Sequence, residues 1–278
     1  AGPPYEKEQR HHGMNETLLK INEATRHSPM CLMTKMRRAS RKKTPGGRPT
    51  EPNRVISVDF MFIDEKVAGI LTDRYSKMLF GEFVDSKADI GDMLEKHIAD
   101  SKCAKNGGIK RIHSDAEAVM NSKEIATLCR RHGIRKTISP PYQQDKNGDV
   151  ESEIKHLKNL INIQSFSAAP KTLCRENLAY AILQRNCQPR RRMHLLSSWE
   201  KQYENDPHKR SQLSDIRKML VAYGTKAVAW FQPKQSVEGY IIGINTDASP
   251  PTYKIAVARD GSKPAVIERS AANVKIIR

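Results

Sequence analysis

From Arg54 the chain reads RVISVDFMFI, a β-branched and aromatic run that predicts a strand. EKVAGILTDRY and SKMLFGEFVDS predict two more, joined by the turn-like Asp73-Arg74-Tyr75-Ser76, so the three form a meander. Residues 88–104 repeat apolar side chains at helical spacing (Ile90, Met93, Leu94, Ile98). IKRIHSD predicts a short fourth strand, residues 121–132 a helix carrying Ile125, Leu128 and Cys129, and GIRKTIS a fifth strand. The polar stretch SPPYQQDKNG then leads into a helix with Val150, Ile154, Leu157 and Ile161 at i, i+4, i+7 and i+11, the stripe of a core-facing helix. A further helix is expected over roughly 171–187.

Beyond Pro189-Arg190-Arg191-Arg192 the pattern becomes basic and irregular to about Arg217, and residues 189–217 read as a linker with some helical character. KAVAWF, EGYIIGI, TYKIAVA, PAVIER and NVKII are then five short strand candidates separated by turn signals, which over residues 218–278 predict a small SH3-like β-barrel. At the other end, residues 1–33 are polar with a weak helical pattern. Residues 34–53 complete a stretch in which CLMTKMRRASRKKTPGGRPT holds seven Lys or Arg and no acid, a basic linker that is either a solvated tail or an arm tracking DNA. Between these flanks, residues 54–188 run strand, strand, strand, helix, strand, helix, strand, helix. That order predicts a ribonuclease H-like α/β core, a mixed five-stranded sheet with flanking helices.

Composition narrows the chemistry. The 278 residues carry 48 Lys and Arg against 31 acids, a formal charge of +17. Such an excess suits a phosphate backbone better than a small neutral substrate. Five scattered cysteines without a CxxC pair argue against a disulfide framework and for a reducing compartment. No apolar run is long enough to span a bilayer, so no membrane partner is expected, and no signal-like segment opens the sequence.

Three carboxylates then draw attention. Asp59 sits inside the first strand, where a charge is badly suited to a buried sheet. Asp115 closes the fourth strand, and Glu151 opens the helix after the polar loop, with 35 residues between the two. If the first and fourth strands pair, Asp59 and Asp115 lie side by side and the helix brings Glu151 to them. Converging carboxylates repel one another and are tolerable when divalent cations neutralise them; all-oxygen ligands favour Mg²⁺ or Mn²⁺. Two such ions can clamp a phosphate between attacking and leaving oxygens. Lys155 and Lys158 share the helix face of Glu151 and could hold phosphates. Glu153 is the nearest rival to Glu151 but points to another side of the helix, and Asp64, Asp73 and Glu117 read as turn or surface acids, with support of the hairpin as an alternative role for Asp73. Trp199, Trp230 and Phe231 are expected in the core.

ISVDFMF, LTDRYSKMLFGEFVDSKAD, GGIKRIHSDAEAVM and HGIRKTISPPYQQDKNGDVES, followed by EIKHLKN, resemble the catalytic core of retroviral-type integrases, most closely those of Ty1/copia-like retrotransposons. A weaker likeness continues through MHLLSSWEKQYENDPHK into the carboxy-terminal strands. The resemblance implies a DDE polynucleotidyl transferase with Asp59, Asp115 and Glu151 as metal ligands for two Mg²⁺ or Mn²⁺. It departs from the copia pattern after the second acid, where Ala116-Glu117-Ala118 stands in place of a glycine-containing turn. On an integrase reading, Tyr142, Gln143 and Gln144 of the polar loop are candidate DNA contacts, the alternative being a mobile surface loop, and Lys155, Lys158 and the arm residues Arg37, Arg38, Arg41, Lys42 and Lys43 would track phosphates. The family's amino-terminal domain binds zinc through two His and two Cys. Here His11, His12, His27 and Cys31 are present but only one cysteine stands where two are needed, so Zn²⁺ is expected to be absent or bound in a non-standard way.

The implied activity is binding the ends of a double-stranded DNA copy of the element, trimming a 3′ end where required, and joining the 3′-hydroxyl to target DNA. The implied partners are element and target DNA, further copies of the chain in a tetramer or larger assembly, and a host tethering factor, within a preintegration complex in a eukaryotic nucleus. A domesticated, non-catalytic DNA-binding scaffold is the alternative, against which the retention of all three carboxylates speaks. An insertion-sequence transposase is a third reading, disfavoured by the basic linker and the copia-like carboxy-terminal segment.

Overall fold

The computed structural model describes residues 49–102, 108–139, 148–232, 235–258 and 263–277. The expected amino-terminal helical region and residues 34–48 of the basic linker lie outside the described residues. Strands β1 (Val55–Ile63), β2 (Lys66–Asp73) and β3 (Leu79–Val84) form the meander, followed by α1 (Ile90–Lys102), β4 (Arg111–Ser114), α2 (Lys123–Arg131), β5 (Arg135–Ile138), α3 (Gly148–Gln164) and α4 (Cys174–Cys187). The sheet order is β3-β2-β1-β4-β5, antiparallel through the meander and parallel from β1 to β4 to β5. This is the mixed sheet with flanking helices of a ribonuclease H-like core.

The apolar run of β1 follows from its central place, because both of its faces are covered. Side chains alternate along a strand, so Ile56, Val58 and Phe60 pack with Ile90, Met93 and Leu94 of α1 and Ile125 and Leu128 of α2. Met61, on the other face, joins Val150, Ile154, Leu157 and Ile161 of α3 and Leu178 and Ala181 of α4. The α3 stripe seen in the sequence is thus the buried face of that helix. Gly69 lets α1 lie close: a Cβ there would come within 2.5 Å of Ile90 Cδ1 and 2.8 Å of Met93 Sδ.

The edge strand β3 is tied to α4 by one buried amide. Asn186 Nδ2 donates to Leu79 O and its Oδ1 accepts from Leu79 N, both at 2.9 Å. Asn186→Leu should therefore cost about 2 kcal/mol, since a buried backbone donor and acceptor lose their partner. Urea unfolding at unchanged slope checks this, and a loss within experimental scatter would show that water replaces the amide.

Residues 189–217 correct the sequence reading. They are largely helical, as α5 (Ser198–Gln202) and α6 (Pro207–Met219), and are packed rather than linker-like. Both starts are capped, by Ser197 with Glu200 in a capping box and by Asp206 ahead of Pro207. Trp199, Leu213, Ile216 and Met219 are buried against Tyr180 of α4 and the residues of a second sheet. That sheet contains β6 (Thr225–Gln232), β7 (Gln235–Asn245), β8 (Thr252–Val257), β9 (Ala265–Ser270) and β10 (Val274–Ile276), in the order β10-β6-β7-β8-β9 with every pairing antiparallel.

Trp199 is core, as expected, but Phe231 is exposed and Trp230 only half-buried. The cause is a bulge in the β6–β7 register between Trp230 and Gln232. Alternation from Ala227 and Ala229 would turn Phe231 inward; the extra residue of the bulge turns it out. The Arg269 guanidinium then sits 3.9 Å from the Phe231 ring centre.

Candidate active site

The parallel register of β1 and β4 ends at Val58 and Ser114. The next residue on each side is Asp59 and Asp115, so the pairing delivers two carboxylates to one end of the β1–β4 junction. β4 accompanies only Val55–Val58, and β1 runs on beyond it paired with β2. Opposite, α3 packs on β1 and β2 through its apolar stripe, and its first turn carries Glu151.

The electrostatics report this convergence. Asp59 is pushed up from 3.8 to about 6, first by burial and then by the charges of Asp115, Glu151 and Glu117, against a hydrogen bond from Phe60 N to Asp59 Oδ1 at 2.7 Å. Asp115 Oδ1 is buried without a hydrogen-bond partner among the described residues. Ser57 Oγ, Thr72 Oγ1 and Asp73 Oδ1 are likewise buried without a partner among the described residues, so the orphaned oxygen gains weight from the charges gathered at Asp59 and not by itself. The donors are hard carboxylate oxygens, and their accumulated negative charge is what a divalent cation relieves, so the residues suit Mg²⁺ or Mn²⁺ in kind. Among the described residues, however, no three His, Cys, Asp or Glu side chains form a ready-made metal cage. The arrangement is a half-buried pair with a third carboxylate whose charge reaches Asp59.

Glu153 is a structural acid. Two residues along a helix is a rotation of about 200°, and Glu153 points away into an ion-paired cluster with Arg185 and Arg190. Asp73 takes the hairpin-supporting alternative and not the surface one: it is fully buried at the β2–β3 turn, where Oδ2 accepts from Ser76 N at 2.9 Å and from Ser76 Oγ at 2.6 Å. Asp64 lies in the β1–β2 turn with φ of 44°.

Two residues escaped the sequence reading. Glu117, partly exposed in the irregular segment after β4, has a charge that acts on Asp59. Lys87, just after β3, pairs with Glu117 at 2.6 Å and lies 5.1 Å from the Phe60 ring centre. They lie 30 positions apart in the chain, so no local pattern signals them. An acid two residues beyond Asp115 was the available hint.

Lys155 and Lys158 are exposed on α3, on the helix that carries Glu151. Tyr142, Gln143, Gln144, Arg37, Arg38, Arg41, Lys42 and Lys43, and the zinc candidates His11, His12, His27 and Cys31, lie outside the described residues. No helix among the described residues is long and apolar enough to cross a membrane.

No curated protein matches the chain. A family comparison does. Residues 49–144, about a third of the chain, match the family model described as Integrase core domain, a stretch that contains Asp59 and Asp115 and ends before Glu151, so that the region with a ribonuclease H-like sheet order is also the region similar in sequence to integrase cores.

Proposed function

We propose that the protein is an integrase that joins the 3′-hydroxyl of a retroelement DNA end to target DNA, with Asp59, Asp115 and Glu151 as its metal-binding carboxylates. The observation that carries this reading is the raised Asp59, held inside a strand by burial and by the charges of Asp115 and Glu151. A fold does not keep such a cluster for stability, because each added negative charge works against it. When bound, a pair of divalent cations would neutralise the phosphate and activate the attacking oxygen.

The chain's own residues do the rest. β1 and β4 fix Asp59 and Asp115 relative to each other through backbone pairing, which tolerates little drift. Glu151 is carried on a helix anchored by its apolar side. Lys155 and Lys158, at i+4 and i+7 from Glu151, offer ammonium groups to the phosphates flanking the reacting one. These contacts orient the duplex without reading its sequence. The large positive charge supplies long-range attraction for DNA and predicts steep salt dependence.

The finer reading follows the resemblance: a Ty1/copia-like element, trimming where the ends require it, a carboxy-terminal SH3-like DNA-binding barrel built from β6–β10, and an assembly of several copies on two DNA ends in the host nucleus. The test is joining of a labelled duplex end to plasmid DNA with Mg²⁺, for the unaltered chain, Asp115→Asn and Glu151→Gln. Joining should require the cation and fall to background in both variants. Activity that survives both changes overturns the assignment and leaves a DNA-binding scaffold.

A further inference from the structure

Phe62 is 55% exposed on a strand whose residues are otherwise mostly buried. It shares the face of Ile56, Val58 and Phe60 by alternation, but lies on the part of β1 beyond its pairing with β4. The Lys87 ammonium stands 5.3 Å from its ring centre and is held between the Phe60 and Phe62 rings and Glu117. The backbone that carries Lys87 is fixed by a capping box, in which Ser86 N donates to Asp89 Oδ2 at 2.7 Å and Ala88 N to Ser86 Oγ at 3.2 Å. The cation is therefore stationed beside the ring by the fold.

The place of this pair gives it meaning. By alternation Phe62 projects from the face of β1 opposite Asp59, and its link to the site runs through the partner of Lys87, because the charge of Glu117 reaches Asp59. Glu117, the partner of Lys87, is two residues past Asp115. A lone exposed phenylalanine is ordinary on a surface. One with an ammonium over it, beside phosphate chemistry, on a chain of this positive charge, matches a specific ligand. Aromatic rings accept the π-face of any base, and an ammonium accepts the attached phosphate. A closed duplex offers no free base face near its interior; an unpaired nucleotide does.

We propose that Phe62 and Lys87 form a seat for an unpaired nucleotide at the DNA end, with the base stacked on the Phe62 ring and its phosphate taken by Lys87. Glu117 keeps the ammonium at the ring until DNA arrives. The proposal deepens the integrase reading, on which it rests for the identity of the ligand.

The test measures binding and needs no joining. The full chain is titrated, without divalent metal, against two duplexes: one carrying 2-aminopurine in a two-nucleotide overhang, the other blunt with 2-aminopurine inside. Binding should quench the overhang probe and leave the interior probe bright. Phe62→Ala should weaken the overhang duplex about tenfold, the effect of losing one base–aromatic stack, and change the blunt duplex by less than about twofold. Phe62→Trp should retain the preference. Lys87→Ala should lower affinity and reduce the salt slope by about one counterion, and Lys87→Arg should restore both. Phe62→Ala that binds both duplexes like the unaltered chain, or loses both equally while its melting is unchanged, overturns the seat. So does a Phe62→Ala variant that loses only self-association in light scattering, which would make the ring a protein contact. A chain that fails to join DNA but keeps a Phe62-dependent overhang preference upholds the seat and defeats only the catalytic reading.

Discussion

Asp59→Asn should abolish DNA joining and at the same time make the metal-free protein more stable at neutral pH. The two effects have one cause. Asp59 titrates at about 6 instead of 3.8 because burial and then neighbouring carboxylates oppose its ionisation. Between these values the folded chain binds more protons at this position than the unfolded chain. Its contribution therefore favours folding at low pH and is lost as pH rises through about 6. At pH 7 both states are ionised and the folded one bears the cost. The full difference corresponds to about 3 kcal/mol, which solvent contact at this half-buried side chain reduces to about 1–2 kcal/mol.

Asparagine removes that charge and can still accept from Phe60 N. The expected gain is therefore about 1–2 kcal/mol at pH 7, fading towards pH 4, where Asp59 is already protonated. Joining, by contrast, should fall at least about 1,000-fold, or roughly 4 kcal/mol of barrier, because the amide supplies no negative oxygen to a cation. Urea unfolding from pH 4 to 7 with chelator present, set beside a joining assay, reads both. A stability difference that does not vary with pH would show that Asp59 is not strained by ionisation, and the case for a cation site would lose its main support.

The second large effect is expected at Glu153, on the opposite side of the same helix. Its oxygens accept from Arg185 Nε at 2.8 Å, from Arg185 Nη2 at 3.2 Å and from Arg190 Nη1, with Glu153 and Arg190 both nearly inaccessible. Burial pushes this carboxyl up, but the Arg185 hydrogen bond and the charges of Arg190 and Arg185 outweigh it, so it ends below its ordinary range. Removing one partner of a buried ion cluster leaves the others uncompensated, so Glu153→Ala should cost about 3–5 kcal/mol. For a depressed carboxylate the stabilisation is present above its ordinary value of 4.5 and is lost as pH falls through the lower folded value. The difference between Glu153→Ala and the unaltered protein should therefore shrink in acid. A loss under about 1 kcal/mol at pH 7 would mean that water relaxes the cluster as at a surface pair.

The cluster also bears on the site. Arg185 lies on α4, and Arg190, in the segment after α4, also donates to Lys77 O at 3.3 Å in the turn before β3. Glu153 thus locks the rotation of α3 against the meander, and Glu151 rides on the same turns of that helix. One acid holds the helix in place; the other is the third carboxylate of the proposed site.

Much of this was legible in the chain. β1 was visible because a central strand covered on both faces must be apolar throughout, and Asp59 stood out as the one acid in that run. The α3 stripe was visible because burial repeats at helical spacing, and Glu151 was placed by it. Other features were hidden for identifiable reasons. Across the end of 189–217 the basic side chains of α6 mask a short stripe of Leu213 and Ile216, continued by Met219, and the partner surface is a sheet formed later in the chain. Phe231 obeyed the alternation until a bulge reversed it. The depth at which Asp73 is buried was hidden because its hydrogen bonds from Ser76 depend on turn geometry.

The sequence by itself determined the order of elements, the buried faces of β1 and α3, the excess of positive charge and the three acids worth watching, since all of these follow from local periodicity and composition. Tertiary structure alone decided which acids act together. It set Asp59 beside Asp115 through a parallel register, gave Glu153 to two arginines, and brought Lys87 to Glu117 and Phe62. These outcomes depend on long-range pairing, in which distance through space, and hence Coulomb and desolvation energy, is unrelated to distance along the chain.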